Sequence, residues 1–265
     1  MRWEHLTPPQ FTALAREEKL CVLPFGSLER HGDHLPLGTD ALLAHHIACN
    51  AAEIEPCVVF PPYCFGQVHE ACCFPGSFSL SSRLTLELLD AVLNEIARNG
   101  FSKILILNVH GGNNALLDYF AMSTVDTPQA YDLYIIKNPC DISPRHAALA
   151  KDLITTPAGH ACEWETSLML ALMPGAVKME NQKFPEPILP QKRLAHLPGV
   201  TSGLWWYADY PEQVTGAPSA AAAEKGAQLL DALIHDLADT LRKIKTDTVM
   251  PALKREFLAK RGTGF

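Results

Sequence analysis

Four short apolar runs recur along the chain, each bounded by turn residues. They are LCVLPF at 20–25, CVVFPP at 57–62, KILILNV at 103–109 and YDLYIIK at 131–137. Nearly continuous apolar runs are typical of strands buried on both faces, so these segments predict a largely parallel sheet. Longer amphipathic segments lie between the runs, as crossover helices do. The pattern therefore predicts the α/β class.

Two segments show a strong helical period. The segment 84–100 ends at Asn99-Gly100, a favourable stop for a helix, and the second segment runs from 218 to about 244. Leucine and isoleucine recur every three or four residues in both, at Leu86, Leu89, Leu93 and Ile96 in the first and at Leu230, Leu233, Ile234, Leu237 and Leu241 in the second. Each helix should bury this apolar face against the sheet.

The segment at about 174–218 has no clear period. It holds six prolines between 185 and 218, together with Trp205, Trp206, Tyr207 and Tyr210. These aromatic residues are too apolar for a solvated tether, so we expect a long ordered loop or subdomain within a single domain spanning 1–265. The loop is a candidate lid; the alternative is that its aromatic side chains only pack it onto the body.

Composition excludes several classes of function. The chain has 29 acidic and 22 basic residues, a formal net charge of -7 and no basic block, so we expect no nucleic-acid partner. No stretch approaches the roughly 20 apolar residues that span a bilayer, and the N-terminal segment lacks an apolar signal region, so we expect no membrane and a cytoplasmic location. Eight cysteines without a CxxC pair are expected to be reduced.

Chemically active side chains collect at the predicted ends of strands. Glu29, His31 and His34 follow the first apolar run, and His110 follows the third within NVHGGNN. A third cluster, in GHACEWETSLMLALMP, begins a predicted helix and holds His160, Glu163 and Glu165. Open α/β sheets bind ligands at the carboxyl ends of their strands, so the three segments are expected at one edge.

Nitrogen and oxygen ligands without thiolate favour zinc, manganese or iron in an open, catalytic site. Asp40 follows the turn-rich GDHLPLGT and can fold back to bridge two ions, whose bound water would become a nucleophile. The alternatives are a solvated surface turn at HGDH and a glycine-rich turn, or a phosphate site, at HGGNN. His45 and His46 lie on an apolar helix and are read as helix residues.

Four segments in order, LPFGSLERHGDHLPLGTD, NVHGGNN, HACEWETSLML and VTGAPSAAAAEKG, resemble the creatininase (creatinine amidohydrolase) family over residues 20 to about 230. The resemblance implies a three-layer α/β/α fold and a binuclear divalent-metal centre. It also implies hydrolysis of a cyclic or linear amide, and assembly as a homo-oligomer, commonly a hexamer.

The resemblance also assigns roles to residues. Glu29 and His110 would bind one ion and His31 the other, with Asp40 between them. His160 would steady the tetrahedral intermediate or protonate the leaving nitrogen. Creatininase has a metal-binding glutamate where this chain has Gly112.

A carboxylate must therefore come from elsewhere. Glu163 and Glu165 lie about 200° apart around a helix, so both cannot face one site. Glu165 is the favoured ligand because it matches the family's ETS element. Glu163 is kept as a proton shuttle or alternative ligand.

Other departures concern the substrate. The family's usual HAG is HAC here, with Cys162, and Ala71 stands where a histidine is expected, with His69 and Glu70 upstream. We expect Trp205, Trp206 and His69 to contact the substrate. The expected function is metal-dependent hydrolysis of a non-peptide C–N bond by a hydroxide between the ions. A formamide-type cofactor-pathway intermediate, a small modified peptide, or non-catalytic binding of a small molecule are the alternatives.

Overall fold

The computed structural model describes residues 1–157 and 159–262. Its strands are β1 Leu20–Phe25, β2 Val58–Val59, β3 Lys103–Asn108 and β4 Asp132–Ile136. Its α-helices are α1 Pro8–Glu18, α2 Thr39–Ile54, α3 Ser82–Arg98, α4 Asn114–Ser123, α5 Pro144–Leu153, α6 Glu163–Leu172, α7 Trp205–Asp209, α8 Ala223–Thr246 and α9 Val249–Gly262.

The four strands form one parallel sheet in the order β2-β1-β3-β4. Cys21 is in register with Val58 on one side and with Ile104 on the other, and Ile104 is in register with Leu133. The predicted parallel sheet is confirmed. Because every strand runs the same way, the segments that follow β1 and β3 leave the sheet at the same edge.

Alternate residues of the central strands enter two separate cores. Leu20 and Val22 of β1 join the core beneath α2, α5, α6 and α8, whereas Cys21 and Leu23 join the core beneath α1, α3 and α4. Burial of each leucine contributes about 1.5–3 kcal/mol, so the apolar runs hold both helical layers to the sheet. The three-layer α/β/α fold is confirmed.

Two element boundaries differ from the predicted ones, and both lie next to proline residues. The apolar run at 57–62 yields only the two-residue β2, because Pro61 and Pro62 have no N–H to donate to a ladder. The helix predicted from 218 begins instead at Ala223, after a 3-10 turn at Pro218–Ala220. Helix α8 then packs backbone to backbone on α6, where a Cβ on Gly226 would collide with the carbonyl of Ser167.

The proline- and tryptophan-rich segment is ordered and mostly irregular. It holds short 3-10 turns at Pro174–Ala176 and Met179–Asn181, and then helix α7. Ile188 and Gly216 pair as an isolated antiparallel bridge, which ties the start of the segment to its end. Among the described residues, no helix combines the length and apolar character needed to span a bilayer.

Candidate metal centre

The loop after β1 delivers two of the candidate ligands. Glu29 and His31 follow the strand end, and Gly32 takes a positive φ of 59° that lets the chain turn back. The amide of Glu29 donates to the carbonyl of Leu37 at 2.9 Å, which closes the loop. Helix α2 then starts at Thr39 and places Asp40 in its first turn, where the helix dipole favours a carboxylate.

The segment after β3 is held by asparagines. Asn108 donates from Nδ2 to the carbonyls of His110 and Lys137, both at 2.8 Å, so it joins the ends of β3 and β4. Asn113 donates to Oδ1 of Asn108 at 2.9 Å and accepts from the amide of Gln67 at 2.8 Å. The polar residues of NVHGGNN therefore fix the loop that carries His110.

Asp40 lies between two imidazoles, and its oxygens face different ones. Oδ2 is 2.9 Å from Nδ1 of His110, and Oδ1 is 3.1 Å from Nε2 of His31. Glu29 Oε2 lies 3.2 Å from the same nitrogen of His110, and Glu165 Oε2 lies 3.9 Å from the same nitrogen of His31. The five residues form two groups that meet at Asp40.

The remaining ring nitrogens are anchored on the backbone. His31 Nδ1 lies 3.0 Å from the carbonyl of Glu29, and His110 Nε2 lies 2.7 Å from the carbonyl of Gln67. A carbonyl only accepts, so each of these nitrogens carries the proton and donates it. The opposite nitrogen of each ring faces Asp40 and, once a divalent ion displaces its proton, would supply the lone pair in the tautomer and orientation that metal-binding histidines adopt.

The buried carboxylates dominate the electrostatics. Burial raises the pKa of Glu29 and of Glu165 to about 7. Burial alone would lower the pKa of His31, but Asp40 outweighs it and raises the pKa to about 10. Burial also acts to lower the pKa of His110, but the carboxylates of Glu29 and Asp40 outweigh burial and raise the pKa to about 9. The cluster therefore attracts positive charge.

These residues fit divalent metal ions. Oε2 of Glu29 is buried and accepts no hydrogen bond from the described residues, although His110 is close. Two sets of ligand atoms lie within 4.8 Å of one another around this point, one comprising Glu29, Glu70 and His110 and the other comprising His31, Asp40 and Glu165. A third such set joins Glu29, His31 and His160. Oxygen and imidazole donors without thiolate suit zinc and manganese.

Glu70 is the residue that the sequence reasoning missed. Gly112 leaves room for it: Glu70 Oε1 lies 3.0 Å from the point where a Cβ on Gly112 would be. The signal is present, because Glu70 adjoins His69 just before the FPG turn, but the sequence predicts a substrate contact for His69 and no role for Glu70. His69 is exposed, and its Nδ1 lies 2.7 Å from Oε1 of Gln67, so the structure does not bring it into the cavity beside the cluster.

Glu163 is not part of the cluster. Its Oε2 accepts from the amides and hydroxyls of Thr155 and Thr156, and its Oε1 lies 2.6 Å from Nζ of Lys225. The predicted roles of proton shuttle and alternative ligand have no support in this geometry. The predicted rotation of about 200° between Glu163 and Glu165 explains why one helix turn sends them to different places.

His160 and the tryptophans border a cavity above the cluster. The cavity has a volume of about 300 Å³, and its lining includes Glu29, His110, Glu165, Trp205 and Trp206. The ring of His160 lies 4.0 Å from that of His31, and its Nε2 donates to the carbonyl of Arg30 at 2.8 Å. Burial lowers the pKa of His160, so its ring is neutral. His34 stands behind the site, with Nε2 3.0 Å from Oγ1 of Thr166.

The fold and the cluster define an α/β protein with a candidate binuclear site at the carboxyl edge of a parallel sheet. The family model described as "Creatininase: Creatinine amidohydrolase" matches residues 4–241, and the chain belongs to this family. It is therefore a hydrolase of a family of amidohydrolases, which act on carbon–nitrogen bonds.

Individual relatives are distant but nearly full length. The mycofactocin precursor peptide peptidase of Mycolicibacterium smegmatis is 27% identical over 86% of this chain and 86% of its own. The 3-dehydro-scyllo-inosose hydrolase of Thermotoga maritima is 26% identical over 91% of this chain and 83% of its own. A solved Zn-Zn creatininase superposes with a TM-score of 0.75 at 23% identity, covering 93% of this chain and 98% of the other.

Proposed function

We propose that this protein is a divalent-metal-dependent amidohydrolase that cleaves a small amide in the cavity above Asp40. The observation that carries the proposal is the position of Asp40, whose two oxygens face two separate imidazole groups. A carboxylate placed in this way can bridge two ions. Solved structures of creatininase whose names include zinc and manganese support this choice of metals.

Each ion would have its own set of ligands. Glu29, Glu70 and His110 would hold one, and His31 and Glu165 would hold the other, with Asp40 shared. Bound divalent ions polarise a carbonyl and lower the pKa of water toward neutrality. The backbone carbonyls of Glu29 and Gln67 keep the two ligating rings in the required tautomer.

His160 is the candidate for proton transfer. It borders the cavity with Nε2 fixed on Arg30, so Nδ1 is the nitrogen left to accept a proton and then donate it to the leaving nitrogen. Trp206 packs edge-on to this ring, with 5.8 Å between centroids, and donates from Nε1 to Gln213 at 2.8 Å. The tryptophan wall would orient the substrate and reduce its contact with water.

The substrate is proposed as a small C–N amide other than a simple peptide, without a commitment to creatinine. Relatives are named for a peptide precursor, for an inosose, for creatinine and for a formylamino pyrimidine monophosphate. Gly112 lines the cavity without a side chain, and Glu70 supplies a carboxylate beside it. A formamide or a small modified peptide is therefore included in the class.

The test begins with metal. Protein purified without chelator, and again after reconstitution with zinc or manganese, should hold close to two equivalents by elemental analysis. The reconstituted protein should hydrolyse members of a panel of cyclic amides, formamides and short peptides. Asp40→Asn should lose activity and both ions, whereas His45→Ala, on the same helix, should lose neither.

His160 is tested separately, because it should affect chemistry without affecting metal content. His160→Gln should lower kcat by about 10²-fold or more while two ions remain bound. Full activity in Asp40→Asn, or no metal after reconstitution, would falsify the proposal.

A further inference from the structure

A second, larger cavity adjoins the one above the metal centre. Its volume is about 580 Å³, against about 300 Å³ for the first. Ligand pockets generally measure about 300–1,000 Å³, so the first cavity alone is at the lower limit. Residues of α5, the end of β4 and the start of α6 border the second cavity, which the proposed chemistry does not use.

The two cavities meet beside the metal centre. Gly111, Gly159 and Glu165 line both of them. Two of these three positions have no side chain, and a Cβ on Gly111 would have no atom within 4 Å. The boundary that these three residues form, called the passage below, therefore carries a single side chain, that of Glu165.

The lining of the second cavity favours an anion. Lys137 and Lys151 both contribute to it, and Glu165, at the passage, is the one acidic residue that the described lining includes. Lys137 is paired with Asp118 at 2.9 Å, on a carboxylate that does not line the cavity. Within residues 1–157 and 159–262, no carboxylate forms an ion pair with Lys151. Asn114, Asn138 and Thr156 add polar groups.

We propose that the second cavity is a substrate subsite for an anionic substituent, so that the natural amide is elongated and carries a carboxylate or phosphate beyond its scissile bond. This inference rests on the proposed amidohydrolase function and deepens it. Lys151 provides the unpaired charge for the anion, and Ala147, in the preceding turn of α5, lines the same cavity.

Matched substrates test the inference. The reference compound is N-methylformamide. The elongated formamides carry on their amine nitrogen a four-carbon chain that ends in carboxylate, phosphate or neutral carboxamide. The corresponding acetamides form a second series. Wild-type kcat/KM should be at least tenfold higher for one anionic chain than for the carboxamide. Lys151→Met should bring that ratio close to one, while Lys243→Met, on the exposed face of α8, should not change it. The anionic chain with the higher kcat/KM shows whether the subsite prefers carboxylate or phosphate.

A steric variant tests the location. Ala147→Phe should reduce kcat/KM for every elongated member relative to N-methylformamide, and Ala148→Phe, an exposed neighbour that does not line the cavity, should not. Because Asp40→Asn cannot turn substrate over, calorimetry on it measures binding alone, and the anionic chain should bind at least tenfold tighter than the carboxamide.

The two proposals fail differently. Equal binding and equal kcat/KM for anionic and neutral chains overturn the subsite while hydrolysis stands. Absence of hydrolysis throughout the series overturns the proposed function, and preferential binding to Asp40→Asn would then still support an anion site here.

Discussion

Glu163 Oε1 lies 2.6 Å from Nζ of Lys225, so a buried ion pair joins the first turn of α6 to the first turn of α8. The other oxygen of Glu163 accepts four hydrogen bonds from Thr155 and Thr156. The segment between these threonines and Glu163 carries His160. Glu163 therefore ties Thr155 and Thr156, which precede that histidine in the chain, to the start of α6.

Removing the cation from this pair should destabilise the protein. In Lys225→Met, the carboxylate of Glu163 loses its partner while it remains fully buried, which costs about 3 kcal/mol or more in free energy of unfolding. Urea denaturation measures the loss. Lys243→Met, an exposed lysine on the same helix, should change stability by less than about 0.5 kcal/mol, and an equal effect of the two substitutions would contradict the assignment.

The same pair predicts a dependence on pH. Burial acts to raise the pKa of Glu163, but donors from Lys225 and Thr155 outweigh burial and lower the pKa below its ordinary value of 4.5. A lowered pKa contributes stability that is complete above the ordinary value and is lost as the pH falls through the folded one. The stability difference between wild type and Glu163→Gln should therefore be largest at neutral pH and narrow below about pH 4.5. A constant difference from pH 7 to pH 3 would show that ionisation of Glu163 is irrelevant.

Glu165 and Glu70, the two candidate carboxylate ligands from outside the segment between β1 and α2, should serve different ions. Glu165→Gln should weaken the ion near His31, and Glu70→Gln the ion near His110, each by more than the 10–100-fold typical of outer-sphere changes. Elemental analysis should give about one equivalent instead of two for either variant. Glu87→Gln, at an exposed position of α3, provides the control and should retain both ions. Two ions in Glu70→Gln would remove Glu70 from the ligand set.

Neighbouring glycines give a sharp steric comparison. A Cβ on Gly112 would collide with Nε2 of His110 and lie 3.0 Å from the carbonyl of Gln67, so Gly112→Ala should displace the imidazole and weaken its ion about tenfold or more. Gly111→Ala places the same methyl in open space and should keep the metal content of wild type. Calorimetric metal titration measures the metal affinity of both variants. Equal affinities would mean that the loop carrying His110 rearranges to accommodate the methyl group without displacing the imidazole.

The fold was predictable where the apolar period was clear. Four apolar runs became four parallel strands because buried parallel strands need apolar residues on both faces. The length of β2 was not predictable from hydrophobicity alone, since Pro61 and Pro62 interrupt the regular ladder after Val59. The start of α8 was also missed, because Pro218 opened a 3-10 turn and the α-helix began later.

The site was predictable where each residue follows a strand end or starts a helix. Glu29, His31, Asp40, His110 and Glu165 come together as expected. The sequence does not reveal that Glu70, and not His69, faces the site, because side-chain direction in the short turn at His69–Ala71 has no periodic signature. The cytoplasmic location, the homo-oligomer and the single-domain boundary stay predictions.

Glu70 gives the proposed ions a mechanical role as well as a chemical one. Its short turn lies between β2 and α3, far along the chain from the segments that carry Asp40, His110 and Glu165. Ions held by all of these segments would act as removable cross-links, closing chain loops that no disulfide closes in the described residues. When metal is lost, the turn that carries Glu70 should therefore be the first segment to unfold locally and become sensitive to proteases. The sheet beneath should stay folded.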